Sequence, residues 1–150
     1  MTEAIDVIEL LERDHRLING LVEQLDAADD PAEIRDLYLR IVEKLSEHEA
    51  IEQEVVFPAF HAAFAADDDT LAHRMGEHEE LNETLAEMRS LAPEGFQFIK
   101  RGSALLLELK GHFLVEEETV FTRMRNEFAP EALLELGRLA GERLHAVAVR

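Results

Sequence analysis

Apolar residues recur along this chain at intervals of three and four and seldom at two. That is the period of one helix face, since each residue of an α-helix turns about 100°, whereas a strand alternates at every second position. Other strand signals are scarce: the chain has one Tyr, no Trp and few β-branched runs. An all-α fold is therefore expected. A first helix over about residues 3 to 27 stops in Asp26-Ala27-Ala28-Asp29-Asp30, and Pro31 suits the first turn of a second helix capped by Asp30. The second runs to about 65, and Asp67, Asp68, Asp69 and Thr70 form the next break and cap. A third then reaches about Leu91, Ala92-Pro93-Glu94-Gly95 interrupts again, and a fourth covers about 95 to 128. Pro130 opens a shorter segment to about 147, whose Leu133, Leu136, Ala140 and Leu144 could pack on the rest although Gly137 and Gly141 weaken it.

Short connections make neighbouring long helices antiparallel, which predicts an up-down-up-down four-helix bundle with a short extra C-terminal helix. The 150 residues fit one domain, with a four-helix core over about 3 to 128. Pro58 is the local misfit. An interior proline removes a backbone hydrogen bond and costs on the order of 3 kcal/mol, so the second helix is expected to kink there or to end early.

One pattern is written twice. His48-Glu49-Ala50-Ile51-Glu52-Gln53-Glu54-Val55-Val56-Phe57 lies over His112-Phe113-Leu114-Val115-Glu116-Glu117-Glu118-Thr119-Val120-Phe121 at an offset of 64. Near that shift, Asp14-His15 with Ile18 and Asn19 matches Glu77-His78 with Leu81 and Asn82. The chain is two halves of one design. Within each half the paired His residues stand 33 and 34 positions apart, far enough to run up one helix and back down the next.

Residues four apart on a helix share a face. His48 and Glu52 do so within a stripe of Ile41, Leu45, Ile51 and Val55, and His112 and Glu116 within Leu105, Leu109 and Val115. His15 falls among Ile8, Leu11, Ile18 and Val22, and His78 among Leu71, Met75, Leu81 and Leu85. Each long helix thus turns one imidazole towards the core. A lone core His is commonly a hydrogen-bonded packing residue, but a buried charge without a partner costs several kcal/mol, and four His with two Glu repeated together need a common reason. Two carboxylates facing each other across a bundle can bridge two cations, with the four imidazoles completing the two sides. Such nitrogen and carboxylate donors suit iron, and manganese or zinc would also accept them.

Composition narrows the alternatives. With no Cys, disulfides, thiolate chemistry and iron–sulfur clusters are excluded. A formal charge of -18 repels nucleic-acid phosphates and anionic membrane surfaces, so neither is an expected partner. No segment approaches the roughly 20 apolar residues of a membrane span, and no leader pattern is seen, so a soluble cytoplasmic protein is expected.

With those residues in view the chain resembles the hemerythrin-like (HHE cation-binding) domain family over about residues 5 to 128. That family is marked by a His on the first helix, His-x3-Glu before Phe-Pro on the second, a His on the third and His-x3-Glu on the fourth. His15, His48 with Glu52 and Phe57-Pro58, His78, and His112 with Glu116 meet it in order. The resemblance implies a non-haem diiron centre, with an oxo or hydroxo bridge expected. In it Glu52 and Glu116 bridge, His15 and His48 hold one iron, and His78 and His112 the other. The family tolerates proline at position 58.

Ferritin-like bundles use Glu-x-x-His, the reverse order, and a His-Glu-x-x-His zinc protease would need His where Glu52 stands. One departure bears on mechanism: oxygen-carrying hemerythrins have a further His four residues before the third-helix ligand, where this chain has Arg74. His73, Glu49 and Glu117 are candidates for additional ligands, Glu117 also as an alternative to Glu116. His61 and His145 fall outside the repeat and are expected at the surface, while Asn19 and Asn82 are possible hydrogen-bond donors to the centre. Fewer protein ligands favour reaction with dioxygen, peroxide or nitric oxide over reversible carriage. The competing readings are a non-catalytic iron or oxygen sensor, or iron handling, and a metal-free helical interaction module.

Overall fold

A computed structural model describes the backbone of residues 5–148 and the side chains of residues 5–144. Helix α1 is Val7–Ala27, α2 Pro31–Ile51, α3 Phe57–Ala63, α4 Asp68–Arg89, α5 Phe96–Glu116, α6 Thr122–Glu127 and α7 Pro130–Ala148, and no strand occurs among the described residues. The expected start of the first helix at residue 3 is corrected by a cap: the Asp6 carboxylate accepts the Glu9 N–H at 2.8 Å. The acid-x-x-Glu signature of that cap was present in the sequence. Asp30 caps α2 as expected, accepting from the Glu33 N–H at 3.1 Å. Asp68 and Asp69 lie inside the first turn of α4, after a short 3-10 turn at Ala65–Asp67, and Thr70 donates its hydroxyl to Asp67 at 2.8 Å.

The breaks within the second and fourth helical rods are π turns, Glu52–Val56 between α2 and α3 and Glu117–Phe121 between α5 and α6. Their i→i+5 bonds run from the Phe57 N–H to the Glu52 carbonyl and from the Thr122 N–H to the Glu117 carbonyl. Such turns are frequent at functional sites. The first also disposes of Pro58, which falls in the opening turn of α3, where an N–H is dispensable. The added residue rotates the remainder of the rod, so the fully buried Val56 continues the inner stripe in place of the half-buried Val55.

Inner positions of α4 are Leu71, Arg74, His78, Leu81, Leu85 and Met88, at steps of three and four. Met75, expected inside, is therefore half exposed, and Arg74 occupies the position. Val115 likewise lies outside the inner face of α5, which runs through Leu105, Leu109, His112, Phe113 and Glu116.

Two apolar clusters fill the interior. One joins Ile18, Val22, Ile41, Leu45, Leu81, Leu105 and Leu109. The other joins Ile8, Leu11, Ile51, Val56, Phe60, Phe121 and Met124, and receives Leu133 and Ala140 of α7 with Leu136 and Leu144 beside them. Burying a side chain of this size contributes about 1.5–3 kcal/mol, so these clusters hold the helices together. Helix α1 packs on α2, α5 and α7, and α4 packs on α5. At Gly137 any Cβ would collide with the Ile5 carbonyl, so this glycine permits a close approach of the N-terminal segment to α7.

Candidate metal centre

Between the two apolar clusters lies a layer of buried polar side chains: His15, His48, Glu49, Glu52, Arg74, His78, His112 and Glu116. The four inner helix faces are responsible, each carrying one imidazole at a position flanked by aliphatic residues one turn away. Ligand-type atoms of His15, His48, Glu52 and Glu116 all lie within 4.8 Å of one another, and so do those of Glu52, His78, His112 and Glu116. Both carboxylates belong to both groups. His15 Nε2 stands 3.1 Å from His48 Nε2 and 3.1 Å from Glu116 Oε1. Glu52 Oε1 is 2.5 Å from His48 Nε2 and 3.9 Å from His78 Nε2, and Glu116 Oε2 is 3.7 Å from His112 Nε2.

These atoms fit a metal cation better than they fit one another. Both oxygens of Glu52, Oε2 of Glu116 and Nε2 of His78 and His112 are buried with no hydrogen-bond partner among the described residues, the 2.5 Å approach of His48 to Glu52 being misaligned for one. Leaving such groups unpaired costs about 1–3 kcal/mol each, more for charged ones, and convergence on a divalent ion removes that penalty.

Electrostatics keeps the donors ready. Burial pushes the His15 and His78 imidazoles down to about 4, so at neutral pH both are uncharged and have a lone pair to give. Burial also opposes charge on His48, but the Glu52 charge together with the contacts of the ring to Asp14, Glu116 and Glu52 outweighs it and raises this imidazole well above its ordinary value. A cation arriving there displaces a proton. The rings are aimed from behind. His48 Nδ1 donates to Asp14 at 3.3 Å, His112 Nδ1 to Glu77 at 3.3 Å and His15 Nδ1 to Glu117 at 3.2 Å, which leaves each Nε2 free to face the centre. His15 also stacks on Phe113, with ring centres 3.9 Å apart, and His78 on Phe57, at 5.7 Å.

The remaining candidates separate. Glu49 is buried but lies outside both groups, accepts from Asn82 Nδ2 at 3.2 Å, and is pushed up to about 7 chiefly by burial. Glu117 holds the far side of His15 rather than joining the two groups, and its pKa is raised by burial and by Glu116. His73 is exposed, because position 74 takes the inner face. His61 is exposed and pairs with Asp68 at 2.7 Å, while the His145 side chain lies outside the described residues. Asn82 serves Glu49 instead of an imidazole, and Asn19 Oδ1 is buried without a partner. The groups that orient the imidazoles are Asp14, Glu77 and Glu117. Two of these carried a signal, an acid directly before the first and third His of the repeat.

The model of the hemerythrin HHE cation-binding domain matches residues 6–124. The chain belongs to this family. A solved hemerythrin HHE cation-binding domain-containing protein from Mycobacterium kansasii is 21% identical, and the alignment covers 95% of this chain and 86% of that one with a TM-score of 0.83. The fold is thus hemerythrin-like. A protein of Nostoc sp. (strain PCC 7120 / SAG 25.82 / UTEX 2576) described as a DNA nickase is 24% identical over 127 residues, 85% of this chain. The chain spans 36% of that relative's length. Family membership carries cation binding, and the His and Glu groups here could hold a metal. No described helix is long and apolar enough to cross a membrane.

Proposed function

We propose that the chain is a single domain, a four-helix up-down-up-down bundle, that holds two iron ions and reacts with a small oxidant such as dioxygen, peroxide or nitric oxide. Glu52 and Glu116 would serve both ions, with His15 and His48 holding one and His78 and His112 the other. The observation that carries this reading is that two four-residue groups share both buried carboxylates. Manganese or zinc could occupy the same donors.

When bound, an iron pair supplies two electrons and open positions at which a small molecule is polarised and reduced. The protein's own contribution is definite. Neutral imidazoles give their lone pairs, and Asp14, Glu77 and Glu117 fix the ring orientations from behind. Phe113 and Phe121, buried and stacked on His15, cover the first pair of imidazoles. Six side chains leave open positions on two ions, and Arg74 stands where an oxygen carrier has a further imidazole. That shortage of protein donors supports reaction over reversible carriage. A charge of -18 supports a small neutral ligand over a phosphate backbone.

The test is metal analysis with absorption spectroscopy on protein purified without a metal-affinity step, repeated for His112→Ala and Glu116→Ala. Two irons per chain with near-ultraviolet charge-transfer absorption, reduced or lost in the variants, are expected, followed by consumption of peroxide, dioxygen or nitric oxide by the reduced protein. A folded chain that takes up no iron anaerobically overturns the reading.

A further inference from the structure

The two halves of the repeat that builds the centre differ at inner positions, and one of these differences stands behind an imidazole. Moving back 63 residues carries Glu77-His78 onto Asp14-His15 and carries Arg74 onto Leu11. Both residues are buried, yet one is a fully enclosed aliphatic side chain and the other a guanidinium. Arg74 Nη2 lies 2.5 Å from Glu77 Oε1, and the other oxygen of that carboxylate accepts from His112 Nδ1 at 3.3 Å. In the first half Asp14 accepts from His48 Nδ1 at the same 3.3 Å, and no Arg or Lys pairs with Asp14 among the described residues.

A carboxylate behind an imidazole raises the basicity of the ring, and with it the strength of the bond from the opposite nitrogen to a metal. A carboxylate already shared with a guanidinium has less electron density to lend. A second difference has the same sign: His15 Nδ1 donates to Glu117, whereas His78 Nδ1 is buried without a partner. Both imidazoles of the first pair are therefore backed by a carboxylate that no Arg or Lys contacts among the described residues, Arg16 acting on Glu117 only through space. Of the second pair, one is backed by a shared carboxylate and the other by none. A cleft of about 260 Å³ lined by Glu77, Leu81, Gly111 and His112 opens beside the second pair. Another, of about 490 Å³, is lined by Leu71, Met75 and Phe57, the ring stacked on His78.

We infer that the two metal positions are unequal: the one at His78 and His112 is the weaker and more readily exchanged, and Arg74, acting through Glu77, is the positioning residue that makes it so. The inference rests on the two-ion reading above. It assigns a role to an arginine that occupies a core position without contacting the four-residue groups, and it accounts for a buried guanidinium whose Nε and Nη1 have no partner among the described residues.

The experiment is a titration of the metal-free full chain with cobalt(II), followed by its d–d absorption and by competition with a chelator of known affinity. Two binding steps are expected, the second weaker by at least about tenfold, the lower end of the 10–100-fold effect of groups behind a ligand. Arg74→Met should tighten the second step by about tenfold and leave the first unchanged. Arg74→Lys, which keeps a cation beside Glu77, should restore the gap. Asp14→Asn should weaken the first step instead, and Arg74→Met should have no effect once Glu77→Gln is present. Circular dichroism verifies that each variant is folded; if Arg74→Met is not, the Asp14→Asn and Glu77→Gln isotherms decide alone by which step each weakens. Two steps of equal affinity, or an Arg74→Met chain with an unaltered or weaker second step, would overturn the inference while leaving the two-ion site intact. Failure of the wild-type chain to bind cobalt at all would remove the two-ion reading itself.

Discussion

The same helices carry two kinds of layer, and the layers obey opposite rules. At Leu45, Leu81, Leu105 and Leu109 the interior is apolar and needs nothing beyond contact. One or two turns along, at His48, Glu52, His78, His112 and Glu116, it is polar, and both oxygens of Glu52, Oε2 of Glu116 and Nε2 of His78 and His112 lack partners among the described residues. The apolar layers supply the stability that lets the polar layer be held in a geometry it would not choose. The difference teaches that fold and site are separable here: one layer can be damaged and the other kept.

The sharpest way to break that separation is at the shared carboxylates. Glu52→Ala or Glu116→Ala should lose both ions, because each carboxylate belongs to both groups, while His15→Ala should weaken one position; metal content per chain measures this directly. Leu109→Ala, in the apolar layer, should lower stability by about 2–5 kcal/mol and still bind two ions. If it lost the metal while remaining folded, the layers would not be independent.

A smaller effect of opposite sign is expected from making the polar layer apolar. Replacing His48 and Glu52 together by Leu should abolish two-ion binding and stabilise the metal-free chain by about 1–4 kcal/mol in urea melts, since a buried ionic pair seldom recovers its desolvation penalty. A destabilised double variant would show that the pair supports the fold without metal.

Acid sharpens the comparison further. The metal-free folded chain keeps His15 and His78 neutral down to about 4, whereas the unfolded chain protonates both near 6.5, so stability is lost as pH falls through that window. Glu49 works the other way, since the folded chain keeps a proton up to about 7 that the unfolded chain releases near 4.5. Glu117, raised by burial and by Glu116, acts in the same direction as Glu49 just above 4.5, so the two carboxyls partly offset the loss that the two imidazoles cause. His15→Leu should flatten this slope in denaturant melts across pH, and an unchanged slope would contradict it.

The mildest contrast lies on α7. Gly141→Ala faces open space and should stabilise by about 0.5–1 kcal/mol, whereas Gly137→Ala meets the Ile5 backbone and should destabilise; thermal melts of the two variants test which glycine the packing requires.

Much of this was legible before any coordinates. The repeat singled out His15, His48, Glu52, His78, His112 and Glu116, and the structure brings all six together, because ligands kept at a helical spacing inside apolar stripes have only one interior to enter. Helix boundaries were legible where a proline accompanies the break, as at Asp30-Pro31 and Pro93-Glu94-Gly95, and less so at Asp6, a capping aspartate followed by Val7.

Sequence alone determined the helical period, the duplicated design and the identity of the six polar residues that share the core, since all of these are properties of spacing along one helix. Only the tertiary structure decided that Arg74 rather than Met75 turns inward, that π turns follow the inner carboxylates and move Val56 into the core, and that Asp14 and Glu77 reach imidazoles on neighbouring helices. Those outcomes depend on the rotation of each helix against its neighbours, and that rotation is set by the packing of all the side chains at once.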